Sequence, residues 1–406
     1  PPDCFSSLVI QLLMAEAKQI QALEQERIPR LLFNYAVPAV VGTVVNSLYN
    51  IVDRIFIGQG VSEYALSGLA ITFPILLFLQ AFGMLVGAGA SVRVSILLGQ
   101  RNTPRAEQTL ANAVYLTLVT QILTIIPCYI YMEPLLRLFG ASDRTLPYAV
   151  EYLRIVIPAN FFAAFSFGYN AIMRASGYPR KAMTTMLLSA LINVVLDYIF
   201  IYPLGMGIRG AAIATAIAMV ICAVYVLAHF FLPGSVVRFR RAAFRPSWAI
   251  VRAITAIGIA PFAMQLTGSA VNVLMNRSFV AYGTTPEESD LAIGAFGIIS
   301  SYAMLIVMLI LGVAQGMQPI VGFNYGARHM HRVRMAYAYS AGTNLFFSFV
   351  GFAVAMLYPR AIVSLFTTSE PLIALCTTAL RIGIMGVSLI GFQITTTQLF
   401  QSIGFS

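Results

Sequence analysis

Charge is what this sequence has least of. Only 10% of its 406 residues are Asp, Glu, Lys or Arg, against about 25% in a soluble domain. That scarcity excludes an ordinary water-soluble fold. Histidine is nearly absent too, with only His229, His329 and His331. Cysteine appears four times, as Cys4, Cys128, Cys222 and Cys376. These are far apart and show no metal-ligand spacing, so they read as small buried hydrophobes. No Walker motif, no HExxH and no GxSxG occurs anywhere. ATP-driven pumping and standard hydrolase chemistry therefore lack their parts, and the chain is expected not to be an enzyme and to need no cofactor.

What is present is apolar. Hydrophobic residues make up 59% of the chain, with a mean hydropathy of +0.82. Runs near the ~20 residues that a bilayer span needs recur along almost the whole length. Ten spans can be drawn: 31–57, 65–98, 107–131, 148–173, 181–202, 210–232, 250–281, 291–322, 333–357 and 372–403. A membrane β-barrel would instead alternate apolar and polar residues over ~10-residue segments. The reading is an all-α polytopic membrane protein. Residues 1–26 differ: they have mixed polarity, with no basic n-region, so they read as a cytoplasmic leader or a non-native start rather than a signal peptide.

The net charge of +10 sits between the apolar runs. Arg101 and Arg105 follow span two; Arg174, Arg180 and Lys181 follow span four. Arg238, Arg240, Arg241 and Arg245 follow span six, and Arg328, Arg332 and Arg334 follow span eight. The alternate loops are poor in basic residues. The bias fits the positive-inside rule with a cytoplasmic N-terminus, in the cell (inner) membrane. Charge that marks topology needs no nucleic-acid partner, and none is expected.

A repeat underlies these spans. "AVPAVVGTVVNSLYNIVDRIFIGQG" at 36–60 resembles "IAPFAMQLTGSAVNVLMNRSFVAYG" at 259–283, with Pro38 over Pro261 and Arg54 over Arg277. "EYLRIVIPANFFAAFSFGYNAIMRASG" matches "TALRIGIMGVSLIGFQITTTQLFQSIG", with Arg154 over Arg381 and Gly177 over Gly404. The offset stays near 223–227 residues. Six spans lie in one copy, so both copies enter from the same side and the repeat is parallel. The expected organisation is a leader over 1–30, a six-helix bundle over 31–232, a linker over 233–249, and four helices of a second bundle over 250–406. The simplest inference is a twelve-helix protein lacking its last two helices.

Nearly all fifteen acids fall in loops or at span edges. Asp53 and Asp197 do not. A charge at mid-bilayer costs ~2.5–3.5 kcal/mol on insertion scales, so such residues usually face a cavity and serve function. The plainer alternative is a structural carboxylate; for Asp53 it would pair with Arg54, although adjacent helical residues do not face each other. Asn193 lies four residues before Asp197, on the same face. Thr215, in the next span, adds a hydroxyl within reach of a neighbouring helix. Two carboxylates, an amide and a hydroxyl make an oxygen-rich pocket suited to a proton or to Na⁺. In the second copy Asn276 stands where Asp53 does, and it cannot titrate.

These residues also carry a family resemblance. The chain resembles the MATE (multidrug and toxic compound extrusion) transporters, and within them the DinF-like branch, over roughly residues 28–406. The likeness rests on "YAVPAVVGTVVNSLYNIVDRIFIG", "NAIMRASGYPRKAM", "NVVLDYIFIYPLGMGIRGAAIATAIA" and the two-copy arrangement. It implies twelve helices in two six-helix bundles and export of cationic lipophilic small molecules driven by H⁺ or Na⁺. It also implies a cation site at Asp53, Asn193, Asp197 and Thr215, a bend of the first helix at Pro38, and a monomer in the lipid bilayer. The seventh span departs from other branches: it has no acid, and Gln265 is its most notable polar residue. A lipid-linked precursor flippase of the wider superfamily is the alternative, but the arginines sit near span ends rather than span centres.

Overall fold

The computed structural model describes residues 19–282, 286–364 and 370–405. Its regular structure among these residues is all helical. The main helices are α1 (Ile28–Gly60), α2 (Glu63–Gly99), α3 (Thr103–Ile130), the short α4 (Met132–Leu138), α5 (Leu146–Ala175), α6 (Pro179–Ile201) and α7 (Gly207–His229). A further turn at Arg241–Ala243 precedes α8 (Trp248–Tyr282), α9 (Pro286–Gly326), α10 (Met330–Leu357), the short α11 (Pro359–Ser364), α12 (Glu370–Gly383) and α13 (Val387–Ser402). Nine of these are long and apolar enough to cross a membrane, and α12 with α13 makes a tenth span bent by 45° at its break. The protein is thus a multi-pass membrane protein, and each of the ten apolar runs has its helix.

Three details were not legible as spans. The short helices α4 and α11 occupy equivalent places in the two copies, Met132 and Pro359 being 227 residues apart. The tenth run is broken at 384–386. Residues 19–25, in the stretch read as a leader, are helical, and Leu23 is only 1% exposed. Residues 1–18 of that leader, with Cys4, lie outside the described residues; Cys128, Cys222 and Cys376 are buried.

The repeat is visible in how the helices end. Gly177, after α5, has φ +102°, and Gly404, after α13, has φ +86°. In both, a 6→1 backbone hydrogen bond closes the end: Tyr178 N–H to Met173 O at 3.2 Å, and Phe405 N–H to Phe400 O at 3.0 Å. This is the Schellman cap, which needs a left-handed residue and favours glycine there. The same device ends α2 and α9 with arginine in the left-handed position: Arg101 (φ 57°) and Arg328 (φ 61°), 227 residues apart. The 6→1 bonds recur as Asn102 N–H to Leu97 O at 2.9 Å and His329 N–H to Asn324 O at 2.8 Å.

Packing follows the same symmetry. Helix α1 packs on α9, α2 packs on α8, and α2 meets α9 between them. Because α8 corresponds to α1 and α9 to α2 in the repeat, α1–α9 and α2–α8 are the same contact made twice. Glycines bring the backbones together there. A Cβ on Gly99 would strike the Phe323 carbonyl, and one on Gly326 would strike Ile96 O. Gly89 lies against Ile254, Gly258 against Leu85, and Gly312 and Gly316 against Val40 and Ala36. Small residues allow such approach between membrane helices, where packing rather than hydrophobicity drives association. All these glycines lie in the half of their helix nearest the arginine-rich loops, here termed the basic face. The apolar cluster there draws on both copies, from Leu31 and Leu97 to Val313 and Phe323. Thr43 adds a hydroxyl that donates to Val40 O at 3.0 Å and across to Met308 O at 3.1 Å.

The segment between α7 and α8 is held to α3. Arg240 Nε lies 3.0 Å from Glu107 Oε1. Asn112 donates to Arg245 O at 3.1 Å and accepts from Ser247 N–H at 2.8 Å.

Candidate functional site

Three neighbouring helices, α1, α6 and α7, carry the sequence-nominated residues. Helix α6 packs against both α1 and α7, so side chains from all three can meet. The 3.6-residue period of α6 puts Asn193 and Asp197 one turn apart on its inner face. Both are buried, at 2% and 0% exposure, and Asp53 on α1 is buried at 8%. Asn193 Nδ2 donates to Thr215 Oγ1 at 3.2 Å. The carboxyl groups of Asp53 and Asp197 lie within hydrogen-bonding reach of each other. All four nominated residues therefore converge in one place.

The site sits off-centre. Asp53 is seven residues before the end of α1, or ~10 Å at 1.5 Å per residue, on the side away from the basic face. Thr215 is correspondingly near the start of α7, on the same side.

Its electrostatics are unusual in what is missing. Asp53 Oδ1, both oxygens of Asp197 and Asn193 Oδ1 are buried without a hydrogen-bond partner among the described residues. A buried polar group without a partner costs roughly 1–3 kcal/mol, more when charged. Arg54 forms no ion pair with Asp53: it is exposed, and its guanidinium lies 5.7 Å from the centroid of the Phe73 ring. Two carboxylates in contact in a low dielectric cannot both remain ionised without a compensating cation. One proton shared between them supplies the missing donor, and a bound cation would do the same for all the orphan oxygens.

Two tyrosines complete the surroundings. Tyr152, on α5 and 4% exposed, lies beside the Thr215 side chain. Tyr49, one turn before Asp53 on α1, lies within electrostatic range of both aspartates. Sequence reasoning missed both, because a tyrosine in an apolar run reads as an interfacial anchor. The usable signal was the i, i+4 spacing of Tyr49 and Asp53.

Pro38 lies elsewhere. It is buried inside α1, which runs unbroken from Ile28 to Gly60. Its flanking residues Ala36 and Val40 abut the α9 glycines. In the second copy Pro261 lies within α8 in the same way; the side chain of Asn276 is outside the described residues. Among the described residues no group of three or more His, Cys, Asp or Glu is gathered, so the donor set is two carboxylates with neutral companions.

The family profile MatE matches this chain over residues 38–199 and 278–406, one stretch in each copy of the repeat. The chain belongs to the MatE family. It is 25% identical over 387 residues to the multidrug export protein MepA of Staphylococcus haemolyticus, covering 95% of this chain and 84% of that protein. Among solved structures, the outward-facing conformation of a multidrug resistance MATE transporter of the MOP superfamily superposes with a TM-score of 0.87 at 27% identity, over 95% of this chain and 85% of that one. A MOP superfamily transporter from Pyrococcus furiosus, described as having a binding pocket of reverse polarity that suggests a different function, superposes at 0.88 and 27% identity over the same shares. The fold is that of a MATE transporter, and the relatives it matches include multidrug export proteins and transporters.

Proposed function

We propose that this chain works as a secondary antiporter, exchanging H⁺ or Na⁺ for organic cations of lipophilic character, with Asp53, Asn193, Asp197 and Thr215 as the coupling site. The observation that carries the proposal is the set of buried, unpartnered oxygens on two neighbouring carboxyl groups and an amide. A proton or a hard cation completes that set, and its loss leaves like charges in contact. Occupancy is then coupled to the packing of α1 against α6 and α7. Oxygen ligands suit Na⁺ as well as H⁺. The site belongs to the first copy, because Asn276 replaces Asp53 in the second. The arrangement of an Asp on the first helix, Asn and Asp four apart on the fifth span, and Thr on the sixth is that of the DinF-like branch.

The loops rich in arginine face the cytoplasm on this reading, so the site lies in the outer half of the membrane. Pro38 would serve as a hinge: its missing N–H leaves one rung of α1 unmade, next to the α9 glycines. A lipid-linked flippase is disfavoured by the interior polarity, since the buried charge of the first bundle's outer half is acidic. Efflux of a fluorescent organic cation from proteoliposomes tests the proposal, with ΔpH and ΔNa⁺ imposed separately. Export driven by at least one gradient is expected; export indifferent to both would overturn it.

A further inference from the structure

The stretch before α1 makes contacts that a disordered leader would not. Residues 19–25 form a short helix on the basic face, joined covalently to α1 of the first copy. Its C-terminal carbonyls have no partner within their own helix. They are met from the second copy. Arg332, on α10, donates through Nη2 to Leu23 O at 3.1 Å and to Glu26 O at 2.8 Å. Its Nε donates to Asn324 Oδ1 at 2.8 Å, and Asn324 Nδ2 reaches Leu23 O at 3.3 Å. A guanidinium at a helix C-terminus satisfies the orphan carbonyls and complements the dipole. Glu24 forms a second tie, 3.0 Å from Arg101 at the end of α2. That pair is exposed, with Arg101 at 78%, so it adds little. The Leu23 side chain is buried among the apolar residues that join the two copies.

These ties cross the line where α2 and α9 meet through Gly99, Gly326 and Ser95. We infer that residues 19–26 are a latch that holds the basic face closed, with Arg332 as its catch, and that opening to this side requires its release. The inference rests on the transport reading only through the premise that this face opens during the cycle. Arg332 acts by positioning the segment and touches no cargo.

The test is the alkylation rate of a single cysteine, Ser95→Cys, in nanodiscs, where both faces meet the reagent, with the native cysteines replaced. Ser95 is fully buried, and its Oγ lies 3.5 Å from Gln318 Nε2 on α9. Arg332→Ala should raise the rate about tenfold, the effect of losing one charge-assisted bonding group. Arg332→Lys should fall between, and Arg334→Ala, an exposed arginine of the same helix, should change nothing. Leu23→Ala, which removes no charge, should also raise the rate several-fold and serves where Arg332→Ala fails to fold. An unchanged rate in correctly folded Arg332→Ala or Leu23→Ala, or an equal rise in Arg334→Ala, would overturn the latch. Neither result depends on which ion drives export.

Discussion

Asp197 is fully buried in a membrane helix, and among the described residues no hydrogen-bond donor reaches either of its oxygens. That combination is what the proposed coupling role requires, since a structural acid would have its donors built in. The neutral companions should matter less. Asn193→Ala and Thr215→Ala each remove one uncharged ligand, worth about 1 kcal/mol. Each should weaken the apparent affinity for the coupling ion by roughly fivefold, read from the dependence of export on H⁺ or Na⁺ concentration. A loss as large as that of the aspartates would contradict the assigned roles. The burial and grouping of the aspartates and their neutral companions were legible from the sequence, because i, i+4 spacing and the cost of buried charge are local arguments. Tyr152 was not, because it comes from a helix whose neighbours only the fold determines.

At the scale of helices, close approach through glycine is the device that closes the basic end. Gly326→Ala places one methyl group against Ile96 O, where only backbone movement can make room. It should destabilise the protein by ~1–3 kcal/mol. Gly342→Ala meets nothing within 4 Å and removes a helix-interior glycine, so a gain of ~0.5–1 kcal/mol is expected. Thermal unfolding in detergent should therefore show opposite shifts for these two variants. A common sign would show that the glycine contacts do not hold the copies together. The ten apolar runs were readable because hydropathy needs only length. Helices α4 and α11 were not, being too short for any span. The arginine caps at Arg101 and Arg328 were hidden too, because the sequence signal for a left-handed cap is glycine and arginine gives none.

At the scale of the molecule, the repeat is the strongest statement the sequence makes, and the structure repeats it in caps, short helices and crossed contacts. Its division into a bundle over 31–232, a linker and a second bundle remains our proposal, as does its orientation. A cysteine at Asp143, exposed between α4 and α5, should react with an impermeant thiol reagent added outside intact cells. One at Gln100, between α2 and α3, should react only after permeabilisation. The reverse pattern would invert the topology. Sequence reasoning reached orientation through loop charge alone.

The central claim is that the Asp53–Asp197 pair couples ion to cargo. Asp197→Asn keeps size and hydrogen-bonding capacity while fixing the neutral form. Gradient-driven efflux of a fluorescent organic cation, measured in proteoliposomes at matched protein level, is the direct test. The account predicts that Asp197→Asn inserts and folds normally yet loses gradient-driven export. Asp53→Asn should behave alike, and the double variant should be little worse than either, since groups acting as one unit are strongly non-additive. Export that persists in Asp197→Asn with its full dependence on the imposed gradient would contradict the account.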